Sequence, residues 1–298
     1  MLGGGGARGA AQVGALAALL EAGFEPPDAI FGVSVGALNG STLAAYPTVA
    51  GVQLLEETWL SKAARDVFRP RPVEAMVGRL RGEHRLSVLT STMLRRLIQR
   101  QLSLLGVERF EELRVPFRVG VTDISAGVPA LLSEGPLQPA LLASAAIPGV
   151  FPSVVIDGRS YVDGGVADND PIARAVDAGA REVVAIALMA QPDAAHGPGG
   201  WGELILRTIA VSLHRRLISE FDRVRDRARV TVLCPLLPAA DGWQMDGAHV
   251  AEVMRRSHQA LRGLLVRHGP VLFRRSGIHY LDLGPRAVPR GRAPRALS

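Results

Sequence analysis

The chain of 298 residues is 48% hydrophobic and carries a formal net charge of +6. Almost all of its positive charge comes from arginine, because Lys62 is the only lysine. Aromatic residues make up only 5%, and the arginines are scattered through amphipathic segments. Nucleic-acid binding needs basic residues gathered on one surface beside aromatics. Composition therefore disfavours nucleic acid as a partner and leaves a weak attraction to anionic membrane surfaces open.

The cysteine usage and the apolar runs predict a cytoplasmic protein. Peripheral contact with the inner face of the membrane is left open. Cys234 is the only cysteine, so no disulfide can form within the chain, which suits a reducing compartment. Every apolar stretch is interrupted before about 18 residues, the length needed to span a bilayer. We expect no signal peptide, since Met1 and Leu2 lead directly into glycines. The oligomeric state is left open.

The first segment combines a glycine loop with a helix. Residues 3–9 read GGGGARG, and residues 9–22 are rich in small and apolar side chains, a pattern that predicts a helix ended by Gly23. Amides at the start of a helix carry partial positive charge, so this loop is a candidate oxyanion hole. Only Met1 and Leu2 precede the loop, whereas a usual strand has about five residues. Either the first strand is vestigial or the native start lies upstream, and we favour the second explanation.

The next segment predicts a strand, a sharp turn and a second helix. The strand covers residues 29–33 and the helix covers residues 35–46. Between them, Gly32-Val33-Ser34-Val35-Gly36 fits the G-x-S-x-G pattern, in which small residues allow a strand-to-helix turn that exposes the serine hydroxyl. Ser34 is therefore a candidate nucleophile. The alternative is a structural serine that caps the following helix.

The segment from about residue 50 to 113 differs in character from the rest. Leucine, isoleucine, methionine and tryptophan recur at helical spacing with arginines between them, which predicts helices. We interpret this segment as a helical insertion over the sheet that forms a cap or a lipid-facing lid. The alternative is a set of helices that simply pack on the core.

The remaining segments alternate strands with helices, as expected of a mostly parallel α/β sheet. Residues 154–162 predict a hairpin whose turn is Asp157-Gly158. Further strands are predicted at 117–124, 128–132, 183–188 and 230–234, and further helices at 137–146, 171–178, 202–227 and 247–267. Residues 1–284 are expected to form one domain, followed by a disordered basic tail rich in proline and arginine at 285–298.

The serine needs a base to be a useful nucleophile at neutral pH. None of the seven histidines lies in a tight turn of small residues, and a Ser-His-Asp hydrolase would place several strands before its elbow. Asp163 ends the predicted hairpin and is followed by Gly164 and Gly165, which leave room beside it. A carboxylate can act as general base if burial raises its pKa. The alternative for Asp163 is an ordinary turn residue.

Three motifs in this order resemble the signatures of patatin-like phospholipases: Gly4-Gly5-Gly6-Ala7-Arg8-Gly9, Gly32-Val33-Ser34-Val35-Gly36 and Asp163-Gly164-Gly165. Two further stretches, 143–152 (ASAAIPGVFP) and 168–171 (DNDP), also match the family. The resemblance implies a three-layer α/β/α sandwich with a modified α/β-hydrolase fold. It also implies a Ser34–Asp163 dyad without histidine and an oxyanion hole in the loop of Gly4, Gly5, Gly6, Ala7, Arg8 and Gly9, with Arg8 holding the loop.

The expected function is a serine acyl hydrolase of lipid esters, a phospholipase A or lysophospholipase, that works through an acyl-enzyme and needs no cofactor or metal. An acyltransferase or thioesterase on the same dyad, or a catalytically silent lipid-binding module, are the alternatives. A phosphate-binding interpretation of the glycines is weaker, because no Lys-Ser or Lys-Thr pair follows them.

Two apolar features have two interpretations each. Leu141, Leu142 and Phe151 would either line a pocket for an acyl chain or belong to the core. The helix around residues 205–224 places leucine, isoleucine and valine among arginines, which fits contact with a membrane surface or a solvated helix face.

Overall fold

The computed structural model describes residues 1–68, 91–191, 201–238 and 246–284. The basic tail at 285–298 lies outside these ranges. So do residues 69–90 of the helical insertion and most of the loop at 191–200.

The described residues form a mixed sheet with helices on both of its faces. The strands are β1 (Ile30–Val33), β2 (Phe117–Asp123), β3 (Val128–Leu132), β4 (Val154–Ile156), β5 (Arg159–Asp163), β6 (Glu182–Ile186), β7 (Met189–Gln191), β8 (Arg229–Pro238) and β9 (Gly277–Asp282). The α-helices are α1 (Ala10–Glu21), α2 (Val35–Ala45), α3 (Val49–Leu60), α4 (Lys62–Phe68), α5 (Thr92–Leu105), α6 (Leu137–Ser144), α7 (Ile172–Asp177), α8 (Trp201–Val224) and α9 (Gly247–His268). Short 3-10 turns cover Gly6–Gly9, Phe110–Glu112, Gly164–Val166 and Gly269–Phe273.

Leu2 joins the two halves of the sheet. One half holds β1 to β5, and the other holds β6 to β9 around the central β8. Leu2 forms parallel bridges to Gly32 on one side and to Ile186 on the other. Its amide donates to the Phe31 carbonyl at 2.8 Å, and the Gly3 amide donates to the Ile186 carbonyl at 3.1 Å. The residues directly before the glycine loop therefore take a strand position, and the loop begins at the carboxyl edge of the sheet.

Strand register brings the ends of β1 and β5 together. β3 pairs with residues 119–123 of β2, whereas β1 pairs with residues 117–120 and β5 with residues 121–123. Because both of these stretches overlap the one that β3 occupies on one side of β2, β1 and β5 share its other side. β1 runs parallel to β2 and ends at Val33, opposite Gly120. β5 runs antiparallel to β2 and ends at Asp163, opposite Val121. The two strands therefore approach each other end to end, and the residue after Val33 meets the end of β5.

Two apolar cores fix the layers. The larger core gathers buried side chains of α1, α2, α3, α5, α6 and α9 on one face, and the smaller one gathers those of α7 and α8 against β6 and β8. Neighbouring residues of β1 point to opposite faces: Ile30 lies in the larger core and Phe31 in the smaller. A strand buried on both faces is typical of a three-layer α/β/α fold. No helix in the described ranges combines the length and apolarity needed to cross a bilayer.

The order of the predicted elements agrees with the structure, with a few differences of extent. The hairpin turn at Asp157-Gly158 has positive φ at both positions, 49° and 76°, as an Asp-Gly type I′ turn requires. β8 extends to Pro238, four residues beyond the predicted strand. β7 and β9 were not predicted. β7 has only three residues, and β9 mixes polar and apolar residues, so neither gives a clear strand pattern. Both pair with β8.

Candidate active site

Ser34 lies at a strained turn between β1 and α2. Its backbone has φ 54° and ψ −126°, a conformation that side chains other than glycine rarely adopt. The flanking glycines permit this turn because the backbone passes too close for a side chain. A Cβ on Gly36 would collide with the carbonyl oxygens of Leu2 and Gly3, and a Cβ on Gly32 would lie 2.6 Å from the Gly36 carbonyl oxygen. The turn has the geometry of a nucleophile elbow, with the serine at its apex.

Ser144, at the end of α6, holds the elbow in place. Its hydroxyl accepts a hydrogen bond from the Ser34 amide at 2.8 Å and donates one to the Gly120 carbonyl at 2.7 Å. The Ser34 amide is therefore occupied within the protein. Val35 opens α2, so its amide belongs to the first turn, whose N–H groups have no acceptor within the helix.

Asp163 ends β5 beside the elbow, and its backbone is fixed on two sides. Thr122 donates its hydroxyl to the Asp163 carbonyl at 2.9 Å, and the Asp163 amide donates to the Ala146 carbonyl at 2.9 Å. A Cβ on the following residue, Gly164, would collide with the Gly120 carbonyl oxygen. Only glycine therefore allows β5 to turn away this close to β2.

The carboxyl group of Asp163 is buried and faces Ser34. Its Oδ1 accepts a hydrogen bond from the Gly165 amide at 2.7 Å, while Oδ2 is buried without a hydrogen-bond partner among the described residues. Burial raises the pKa of Asp163 to about 6, and the nearby Ser34 hydroxyl and the Gly165 amide lower it in part. Both side chains are only 6% exposed. The structure thus brings a carboxylate of raised basicity to the serine hydroxyl.

Three side chains hold successive carbonyl groups of the glycine loop. Gln12 donates to the Gly3 carbonyl at 2.8 Å, Asn169 donates to the Gly4 carbonyl at 3.4 Å, and Arg8 donates through Nε to the Gly5 carbonyl at 3.1 Å.

Because a trans peptide is planar, its C=O and the next N–H point in opposite directions. Fixing these three carbonyls therefore also fixes the amides of Gly4, Gly5 and Gly6. Ala7 and Gly9 continue the loop as a 3-10 turn that leads into α1. A Cβ on Gly4 would lie 3.1 Å from the Ser34 Cβ, so the loop passes directly beside the serine.

A buried polar chain ties the glycine loop to the helix that follows the serine. Asn39 of α2 donates to the Gln12 side chain at 2.9 Å and to the Gly9 carbonyl at 3.1 Å. The indole of Trp59 donates to Asn39 at 2.9 Å. Gln12 and Asn39 are each at most 1% exposed, so these hydrogen bonds are made away from water. The loop and the elbow are therefore held as one unit.

A largely apolar cavity that is open on one side extends from Ser34. It lies between α2 and the helices α3, α4 and α5 of the helical insertion. Trp59, Leu97 and Phe151 contribute large apolar walls, and Gln101 contributes a polar one. Leu141 and Leu142 are fully buried and do not line it, so they belong to the core.

None of the described histidines lines the cavity beside Ser34. His258 contacts Glu21 at 2.7 Å on the surface between α9 and α1, and His214 stacks near Tyr280. His84 and His196 fall outside the described residues. Sequence reasoning missed Gln12 and Asn39, because an isolated buried amide carries no motif. The stretches 143–152 and 168–171 were noted, but the contact of Ser144 with the elbow and that of Asn169 with the glycine loop were not.

The fold and this site together define an α/β protein with a nucleophile elbow and a carboxylate partner. A family model described as patatin-like phospholipase matches residues 1–176. The chain belongs to the patatin-like phospholipase family.

Several known proteins are similar to the chain. An uncharacterised NTE family protein of Mycobacterium tuberculosis is 32% identical over 188 residues, which cover 63% of this chain and 48% of the relative. Patatin-like phospholipase domain-containing protein 7 of Rattus norvegicus is 32% identical over 195 residues, covering 62% of this chain and 13% of that protein. The chain thus spans about half of the mycobacterial relative. Among solved structures, VipD of Legionella pneumophila aligns with a TM-score of 0.47 and 14% identity over 90% of this chain and 66% of its own.

Proposed function

We propose that the chain is a serine acyl hydrolase of lipid esters in which Ser34 is the nucleophile and Asp163 the general base. The observation that carries this proposal is the meeting of the strained Ser34 turn with the buried Asp163 carboxyl, beside a loop of fixed amides. Family membership supports lipid hydrolysis as the activity. The apolar cavity beside Ser34 supports an acyl chain as the group that is bound.

In the first half of the reaction, Asp163 accepts the proton of the Ser34 hydroxyl as the oxygen attacks the ester carbonyl carbon. The carbonyl oxygen becomes an oxyanion, which the amides of Gly4, Gly5 and Gly6 stabilise. One such donor typically lowers the barrier by about 3 kcal/mol. Asp163 then returns the proton to the leaving alcohol oxygen as the ester C–O bond breaks, leaving the acyl group on Ser34.

In the second half, water replaces the alcohol. Asp163 accepts a proton from the water as its oxygen attacks the acyl-enzyme carbonyl, and the same amides hold the second oxyanion. Collapse of this intermediate breaks the bond to Ser34, whose oxygen regains the proton from Asp163. The products are a free fatty acid and the restored dyad, so no cofactor takes part in either step.

The experiment is hydrolysis of a panel of lipid esters beside a short soluble ester, with Ser34→Ala and Asp163→Asn as test variants. Both are expected to lose at least about a thousandfold in kcat while keeping the wild-type circular dichroism spectrum. Ser103→Ala, an exposed serine of α5, is the matched control and should keep full activity. Turnover retained in either test variant would refute the dyad.

A further inference from the structure

Helix α8 buries large apolar side chains in its second half and, among the described residues, exposes three in its first. Leu217 and Phe221 lie in the smaller core and are 1% and 7% exposed. By contrast, Leu204, Ile209 and Val211 are 43%, 49% and 57% exposed. The first half of the helix therefore presents large apolar side chains to its surroundings, while the second half anchors the helix to the sheet.

The exposed half of α8 lies at the same edge of the sheet as Ser34. β1, Leu2, β6 and β8 run parallel, so Ser34 marks the carboxyl edge that all of them share. β7 lies beyond the end of β6, pairs with the last residues of β8 and packs against α8. Because α8 leads into the start of β8 at the amino edge, its own beginning lies at the carboxyl edge.

Helix α8 carries arginines between two acidic residues. Between Glu203 and Glu220 the only side chains that are charged at neutral pH are those of Arg207, Arg215 and Arg216. Arg215 and Arg216 are exposed and follow Val211 after about one helical turn, near 6 Å along the axis. Exposed arginines next to exposed apolar side chains favour binding to an anionic lipid surface.

Arg216 also connects this helix to the catalytic region. Its charge acts on Asp168, a carboxyl five residues beyond Asp163 that is only 8% exposed. Burial chiefly raises the pKa of Asp168, Glu220 of the same helix raises it further, and Arg216 lowers it in part. Asp168 pairs with Arg174 of α7 at 3.1 Å. The arginine end of the exposed face thus lies within electrostatic range of the segment that follows the base.

We infer that the first half of α8 docks on a membrane containing anionic phospholipids and so presents the mouth of the Ser34 site to the bilayer. This inference rests on the proposed function, because it names the form in which the substrate is met. Leu204 and Val211, which lie on the same side of the helix, enter the interface, and Arg215 and Arg216, one turn further along, contact the phosphate groups. A second copy of the chain fits this face less well, since it would bring like-charged arginines together.

The test compares Leu204→Glu/Val211→Glu with the wild type for binding to vesicles of phosphatidylcholine with and without phosphatidylglycerol. The double variant is expected to partition onto anionic vesicles at least about tenfold more weakly, because apolar burial and charge attraction both fall. Val266→Glu is the matched control, since Val266 is 79% exposed on α9 near the opposite edge. It should bind like the wild type. Leu204→Ser/Val211→Ser separates loss of apolar contact from added negative charge.

The catalytic readouts keep the two proposals apart. Hydrolysis of a short soluble ester should be unchanged in the double variant, while hydrolysis of vesicle lipid should fall about as much as binding. Equal vesicle binding by wild type and double variant would overturn the inference, as would a change only in self-association measured by sedimentation. Failure of the wild type to hydrolyse the soluble ester would refute the proposed function instead, and vesicle binding would still report on α8.

Discussion

The raised pKa of Asp163 predicts how the activity depends on pH. The base must be ionised to accept the Ser34 proton, so kcat/KM should rise with pH through the pKa of Asp163 in the free enzyme. Burial raises that pKa from an ordinary value of 3.8 to about 6. The ionised fraction is then about 0.1 at pH 5 and about 0.9 at pH 7, which predicts a roughly tenfold rise in kcat/KM between these values.

The assay is hydrolysis of a soluble ester whose own ionisation does not change over this range, followed from pH 4 to 9. Circular dichroism at each pH shows that the protein stays folded. A flat kcat/KM between pH 5 and 7 would refute the reasoning, since it would mean that the base has the pKa of a solvated carboxyl.

A second buried carboxyl provides the matched control for the pH profile. Burial raises the pKa of Asp170 to about 7, and its partner Asn169 donates to it at 2.9 Å. The Asp170 carboxyl lies against Gly3 and the Asn169 side chain. Asp170→Asn should therefore keep the rise centred near pH 6. If the rise moves or disappears in this variant, the pH dependence belongs to Asp170 and not to Asp163.

The other predictions concern stability and the groups that position the site. Because the pKa of Asp163 is raised in the folded state, stability is highest where this carboxyl is protonated, below about pH 4, and is lost as pH rises to about 6. Asp163→Asn should therefore gain about 2–3 kcal/mol of unfolding free energy at pH 8 and nothing at pH 3.5, measured by urea titration. Gly4→Ala places a Cβ 2.5 Å from Asn169 Oδ1, which should displace the loop and lower kcat about 100-fold. The control Gly263→Ala, on the surface of α9, should leave kcat unchanged. Equal kcat in both variants would contradict an oxyanion role for the loop. Ser144→Ala removes the hydrogen bonds of its hydroxyl to the Ser34 amide and the Gly120 carbonyl. It should cost about 2 kcal/mol of stability in the same titrations and lower kcat. An unchanged midpoint would show that the elbow does not need these hydrogen bonds.

The predictions from sequence succeeded where the signal is local. The elbow glycines and the Asp157-Gly158 turn are required by backbone geometry at the residue itself, so they can be identified without knowing the rest of the fold. The strands and helices of the α/β core likewise follow from periodicity. The shortage of residues before the glycine loop, by contrast, led us to favour a native start upstream of Met1, and this stays a prediction. In the structure, Leu2 bridges both halves of the sheet.

What the sequence could not supply are contacts between distant segments. Gln12 reaches the carbonyl of Ile186 across 174 residues, and Ser144 reaches the Ser34 amide across 110. Such pairings depend on strand order and register, which a single sequence does not display. The position of Asp163 before Gly164 and Gly165 made it a candidate base for Ser34, and the family resemblance strengthened that prediction. Its physical basis, the end-to-end approach of β1 and β5 along β2, is visible only in the structure.

Labelling with a fluorophosphonate probe, followed by peptide mass spectrometry, tests the central claim most directly. An activated serine beside an oxyanion hole reacts with this probe, whereas an ordinary serine does not. A single adduct on Ser34 is expected, absent in Ser34→Ala and formed at least about 100-fold more slowly in Asp163→Asn. An adduct on a different serine, or labelling of Ser34 at an unchanged rate in Asp163→Asn, would contradict the account.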